Sequence, residues 1–200
     1  MSLFRKLFGT SHESSEEETQ SEFNTSATQP SLPLDELFTF NFKKNGGKFL
    51  YCENENEIKE QFENILEEND WFESEVICYE DSLFPILEEN KLTFKNPTQP
   101  KFILASCENL IADEGSILLS SSQIKQKKPN ELPQNIIIFA KTSQIVESKS
   151  DGLRMIKKKY EKDYPTNITT IKYFEKVKEE DFLHYGTSAK NLYLLLLEDL

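Results

Sequence analysis

Ile136-Ile137-Ile138-Phe139 sets four large apolar side chains in unbroken succession. A strand with one wet face alternates apolar and polar residues, because successive side chains point to opposite sides of the pleat. A run without alternation must be covered on both faces, which is the situation of strands in parallel sheets. Parallel strands in turn need crossover connections, usually helices, so the rest of the chain has to supply helices alternating with further strands.

It does so from Leu34 onward. Leu34 to Asn45 carries apolar residues at 34, 37, 38 and 42 in helical spacing, and Gly46-Gly47 ends the pattern. Phe49 to Cys52 reads as a strand, and Asn54 offers the cap for a helix whose Ile58, Phe62, Ile65 and Leu66 share one face. Glu75 to Tyr79 and Phe102 to Ser106 are expected as strands, with a short helix at Ser82 to Glu89 between them. Ser150 is expected to cap a helix in which Leu153, Ile156, Tyr160 and Tyr164 turn inward, with Lys157 to Lys159 complementing its C-terminal dipole and Pro165 stopping it. Ile168 to Phe174 and Leu192 to Leu197 complete the series as strands. The alternation predicts an α/β chain, a three-layer sandwich around an open, mostly parallel sheet, without internal repeats.

Residues 1–33 differ in kind. Thr10 to Pro33 is Ser, Thr, Glu, Gln and Pro with almost no large apolar side chains, which do not repay the entropy of ordering. The reading is a disordered acidic tail over 1–33 and one globular unit over 34–200. Ahead of that stretch, Leu3, Phe4, Leu7 and Phe8 flank Arg5-Lys6 as an apolar face two turns long. A frayed terminus is the first reading of it, and docking on a partner or a membrane surface the second.

A hydrophobic fraction of 37% is enough to build a core. The net charge of −12, from 35 acidic against 23 basic side chains, repels phosphate backbones, and no basic stripe interleaved with aromatics compensates. No nucleic-acid partner is expected. Cys52, Cys78 and Cys107 are odd in number and widely spaced, so they read as buried thiols in a reducing cytosol rather than as disulfides or metal ligands. MSLFRKLFG lacks the apolar core of a secretory signal and no run reaches spanning length, which gives a cytoplasmic chain with no integral membrane segment.

No GxGxxG, Walker loop, GxSxG elbow or HExxH occurs, which removes the common dinucleotide, nucleoside triphosphate, serine hydrolase and zinc protease readings. His12 and His184 lie far apart and read as surface or capping groups. Iron–sulfur ligation takes about four spaced cysteines per cluster, so the chain is expected to carry no cluster, metal or other cofactor of its own. Lys125-Gln126-Lys127-Lys128 offers three ammonium groups to a phosphate or carboxylate, with a solvated loop as the plainer reading. Trp71 and Phe72 are expected to cover the core edge rather than stack on a ligand.

One stretch carries the main site expectation. Leu110 to Ser121, LIADEGSILLSS, joins two apolar triplets through an acidic glycine turn. Asp113, Glu114, Gly115 and Ser116 are the candidate ligand-binding residues, with Gly115 and Ser116 also needed for the turn and a solvated bend as the plainer reading of the acidic pair.

Several motifs together resemble the LUD domain family, which includes lactate utilization protein C subunits. IADEGSILL at Ile111 to Leu119 is similar to the family's Ile-Ala-acid-Thr-Gly-Thr pattern before an apolar strand. LPQNIIIFAKTSQIV at Leu132 to Val146 resembles its Leu-Pro-Pro segment and next strand. NFKKNGGKFLYCEN resembles its helix, Gly-Gly turn and first strand, and GTSAKNLYLLLLED its terminal strand, with Thr187 where the family has proline. Two departures stand out: Glu114 replaces a common Thr, and no Ser-Arg-Thr-Ala-Asp type segment lies between Phe174 and Gly186.

The resemblance implies the fold of sugar-phosphate isomerases and CoA-transferases, with ligands beyond the carboxyl ends of the strands and the Asp-Glu-Gly turn near the mouth of the site. It also implies a non-iron–sulfur component of lactate or related organic-acid utilization, working with iron–sulfur or other redox subunits. The alternative is a non-catalytic module that binds a small anion or acyl ligand while its N-terminal tail recruits a partner. A third reading is a CoA-transferase-like enzyme with Glu114 as carboxylate nucleophile or base.

Overall fold

The computed structural model describes residues 32–174 and 190–200. The acidic tail lies outside them except for Leu32 and Pro33, as do the Leu3, Phe4, Leu7 and Phe8 face, His12, His184 and the Gly186-Thr187 motif.

Five parallel strands form the central sheet, in the order β1–β9–β6–β3–β2. They are β1 (Lys48–Cys52), β2 (Val76–Ile77), β3 (Phe102–Ser106), β6 (Asn135–Lys141) and β9 (Asn191–Leu197). The registers set Leu50 beside Leu195, Leu194 beside Ile138, and Ile137 beside Leu104. The run that opened the sequence argument sits in β6, with β9 and β3 on its two sides. Its side chains divide between two cores: Ile136, Ile138 and Ala140 face one, Ile137 and Phe139 the other. Burying such a side chain on either face stabilises by about 1.5–3 kcal/mol, which is why the run tolerates no polar residue.

The second of these cores lies under α2 (Glu55–Asn69) and α3 (Phe84–Glu89), the latter entered through a 3₁₀ turn at Asp81–Leu83. Asn54 caps α2 as its sequence indicated, its side chain accepting from the backbone N–H groups of Asn56 and Glu57 at 3.0 and 3.1 Å. Ile58, Phe62, Ile65 and Leu66 are the buried face. Trp71 belongs to the same core, stacked on Phe102 with ring centroids 5.0 Å apart, while Phe72 is exposed.

The opposite face of the sheet meets α1 (Leu34–Lys44), through Phe38 and Phe42, and a second sheet. This four-stranded sheet, β7–β4–β5–β8, is an addition to the expected architecture. Its strands are β4 (Asn109–Ile111), β5 (Ser116–Ser120), β7 (Ile145–Val146) and β8 (Ile168–Ile171). β4 and β5 form the hairpin closed by the Asp-Glu-Gly turn, and β8 pairs antiparallel with β5, setting Thr169 opposite Leu119. Ile111 and Leu118, on its far side, pack against Ile156 of α5 (Lys149–Tyr160). A one-turn helix, α4 (Ser121–Ile124), follows β5.

The strands expected over Glu75 to Tyr79 and Ile168 to Phe174 are shorter, Val76–Ile77 and Ile168–Ile171, and Phe72, expected to cover the core edge, does not. Two details of α5 also depart from the sequence reading. The cap of α5 is Ser148, whose Oγ accepts from the Asp151 N–H at 3.3 Å, and Ser150 lies inside the first turn. Tyr164 is exposed, because the helix ends at Tyr160, where Glu161 leaves helical geometry with φ 34°, before Tyr164 can join the inward face. No helix among the described residues is long and apolar enough to cross a membrane.

Candidate functional site

Parallel strands all present their carboxyl ends at one edge, and there the chain must turn away into loops and helices, leaving a crevice between them. A cleft of about 560 Å3 opens at this edge. Its floor is Phe139 and Ala140 from the end of β6 and Leu197 from the end of β9. Ile58 of α2 and Leu83, Pro85 and Ile86 of the α3 region supply apolar walls. Lys59 and Glu89 close one side as an ion pair at 2.9 Å, both half exposed, and Lys141 stands at the mouth.

Two polar groups inside the cleft, Ser106 and Gln144, are already engaged. Ser106, the last residue of β3, donates its N–H to Glu80 at 2.7 Å and its hydroxyl to the same carboxylate. Gln144 accepts from the Lys141 N–H at 2.8 Å and donates to the Cys107 carbonyl at 2.7 Å. Next to the cleft, Asp199 accepts from the Ser143 N–H at 2.9 Å and from the hydroxyls of Ser143 and Thr142 at 2.8 and 3.0 Å. Burial raises the Asp199 carboxyl, but these bonds and the nearby Lys141 charge outweigh it and hold the group below the usual aspartate value. Tyr51 bonds Glu198, so the ends of β1, β6 and β9 are tied together beside the cleft.

The Asp-Glu-Gly turn does not line this cleft. It packs against α1, where Asn41 donates to the Ala112 carbonyl at 2.8 Å and Asn45 to the Glu114 and Gly115 carbonyls at 2.7 and 3.1 Å. Asn45 lies three residues ahead of β1, so the turn sits toward the amino ends of the central strands. Gly115 has φ +59°, and a Cβ built there meets the backbone carbon of Asn41 at 2.3 Å. Ser116 is fully buried and donates to the Glu114 carboxylate at 3.2 Å, while Asp113 is exposed. The four residues therefore stay together, at a helix-docked hairpin tip.

A buried charge that sequence reasoning missed lies between β4 and α5. The Glu108 side chain is 1% exposed and accepts from Ser120 at 2.6 Å, Gln123 at 3.1 Å, Lys159 at 2.8 Å and Tyr160 at 2.7 Å. Burial raises its carboxyl, but the four donors together hold it below the ordinary glutamate value. The available signal was a lone carboxylate between the apolar runs Phe102 to Ala105 and Leu110 to Ala112, which requires a partner. Lys190 is also buried, its ammonium donating to the Leu132 carbonyl at 2.9 Å, and burial lowers its pKa.

All three cysteines are buried free thiols. Burial pushes Cys52 up to about 12 and Cys78 up to about 11, and raises Cys107 as well. No group of three or more His, Cys, Asp or Glu among the described residues is placed to hold a metal ion.

No curated protein matches the chain. The structure is similar to the crystal structure of a DUF162 family protein from Deinococcus radiodurans, with a TM-score of 0.58 and 13% identity, over 83% of this chain and 96% of that one. At such identity the likeness speaks for the fold, a three-layer α/β arrangement around a mostly parallel sheet. Sequence speaks for more: residues 36–196 match the LUD domain, and the chain belongs to the LUD domain family.

Proposed function

We propose that this LUD-domain chain is a non-iron–sulfur component of lactate or related organic-acid utilization, in which the carboxyl-end cleft receives a small organic acid or acyl group. The cleft itself is the observation that carries the reading. Its volume of about 560 Å3 lies in the roughly 300–1,000 Å3 range of small-molecule sites, with an apolar body and a few charged groups at the mouth. Ile58, Phe139 and Leu197 suit a hydrocarbon body, and Lys141 suits a carboxylate, while Lys59 is paired with Glu89 and Glu55 also lines the cleft. Oxidation is assigned to separate redox subunits, because the whole chain has three cysteines and a cluster takes about four.

A non-catalytic binding module is the second reading, favoured by one feature. Ser106 and Gln144 are bonded to protein partners rather than poised toward the cleft. Asp113 and Glu114 remain proposed contacts only for a ligand at the hairpin tip, apart from the cleft, and through their carboxylates alone, since Asn41 and Asn45 occupy their backbone carbonyls.

Calorimetric titration of the full chain with small organic acids and acyl thioesters tests the assignment. Lys141→Ala should weaken binding by about tenfold, the cost of a lost charge-assisted contact. Unchanged binding in that variant and in Phe139→Ala would remove the cleft from consideration. Turnover of lactate by the purified chain alone would refute the division of labour, and turnover only on adding cysteine-rich subunits would support it.

A further inference from the structure

A second cleft of about 630 Å3 opens at the carboxyl end of edge strand β2, and its chemistry differs from that of the first. The two lie on opposite sides of one strip of chain: Leu83 and Pro85 line the first, and Phe84 lines the second. Tyr79, Phe84 and Phe94 give it an aromatic lining, with the Phe84 and Phe94 ring centroids 4.6 Å apart. Lys95 and Lys127 also line it, and no Asp or Glu does. Lys125 adds a third ammonium 5.3 Å from the Tyr79 ring centroid. In a chain of net charge −12, this lining carries cations and no carboxylate, with Glu80 and Asp81 near its Cys78 edge.

Neither lysine forms an ion pair among the described residues, and both sit on anchored loops. Asn167 donates to the Lys127 carbonyl at 3.3 Å, and the Lys127 N–H donates to Ile124 at 3.2 Å. The Lys95 loop is fixed by Glu75, which accepts from the Gln99 N–H at 2.5 Å and from Thr98. The backbone that carries Lys127 and the loop that follows Lys95 are thus anchored beside an aromatic surface, which reduces the ordering a ligand would have to impose.

We propose that this cleft binds a free nucleoside phosphate. The lysines receive the phosphates, and the base lies on the aromatic surface. Inorganic phosphate would leave the aromatic surface unused, and an uncharged ring compound would leave the lysines unused. A polynucleotide is disfavoured, because its phosphates would run onto the acidic remainder of the protein. The site is separate from the carboxyl-end cleft and does not rest on the organic-acid reading.

The test is calorimetry on the full chain with ADP and GDP, alongside adenosine and pyrophosphate. Saturable binding of a nucleoside diphosphate is expected, weakened by salt and tighter than either fragment. Lys95→Gln with Lys127→Gln should raise its Kd by about tenfold or more. Phe94→Leu should weaken the nucleotide while leaving pyrophosphate unchanged. As a measurement free of substitutions, the nucleotide should protect Lys95 and Lys127 of the unaltered chain from chemical acetylation. The proposal is overturned by no saturable heat up to about 1 mM of either diphosphate, by a lysine-variant Kd within about twofold of wild type, or by pyrophosphate binding as tightly as ADP.

Discussion

Replacing Glu108 with alanine tests whether its four-donor cluster is a structural tie between the second sheet and α5. The cost follows from which donors can find water once the carboxylate is gone. Lys159 is 58% exposed and Tyr160 half-buried, so both rehydrate and contribute little. Ser120 and Gln123 are buried, and each loses an acceptor at roughly 1–3 kcal/mol, part of which Ser120 recovers through its 2.9 Å bond to Gln123. With a small cavity added, the expected loss is about 3–4 kcal/mol, in the range found on breaking buried polar networks. Urea denaturation of both proteins reads it directly as a shift in midpoint at constant slope. The pH dependence is a second check. A carboxyl whose folded pKa is depressed stabilises above its unfolded value, about 4.3, and that stability is lost as pH falls through the folded pKa. Lys159 is shifted the opposite way: burial lowers it, but Glu108 and Tyr160 more than compensate, so its share is lost only as pH rises through a folded value above about 10.4. The gap between wild type and variant should therefore be flat from about pH 5 to 9, narrow below about pH 4, and narrow again above about pH 10. A loss under about 1 kcal/mol at pH 7, or a gap that grows on acidification, would refute the reasoning.

Gly115→Val should destabilise by at least about 2 kcal/mol in the same assay, since a β-branched residue at φ +59° also drives its Cβ into the Asn41 backbone; a loss below about 0.5 kcal/mol would contradict that close approach. Glu114→Gln should stay within about 0.5 kcal/mol of wild type, and unchanged affinity for every acid that binds would end its proposed ligand role. Native thiols should react with a disulfide reagent at pH 8 far more slowly than in urea, because Cys52 and Cys78 are pushed up to about 12 and 11; rapid labelling of the folded chain would contradict their burial. A chain starting at Leu34 should melt within about 1 kcal/mol of the full chain, and a larger loss would show that residues 1–33 contribute to the fold.

The central layers were readable because each element announces itself locally. Ile58, Phe62, Ile65 and Leu66 repeat at helical spacing, and Ile136 to Phe139 needs cover on both sides wherever it lies. The second sheet gave no such signal. Its strands are two to five residues long, and what defines it is pairing at a distance, such as Ile117 with Ile171, which short apolar runs do not declare. The α5 cap was displaced by two residues because Ser148 and Ser150 are equivalent in sequence, and only the extended backbone at Ser148 distinguishes them. The carboxyl-end cleft is built from Ile58, Pro85, Phe139 and Leu197, which share no motif and meet only through the order of the strands. The Asp-Glu-Gly turn joins two apolar strands where its flanking triplets indicate, but its docking depends on Asn41 and Asn45, some seventy positions away.

The position of β9 between β1 and β6 imposes a timetable on folding. Among the described strands β1 pairs only with β9, through five residues from Lys48 beside Tyr193 to Cys52 beside Leu197, and β9 follows all the others. As the chain leaves the ribosome, β2, β3 and β6 have their neighbours long before β1 does, and α2 can cover only part of its surface. Until Asn191 to Leu197 emerges, β1 and one side of β6 remain unpaired edges, the feature that invites association between nascent chains. The central sheet closes in a single late insertion that joins the first strand to the rest, a non-local step of the kind that slows folding and makes completion of this strand the commitment point.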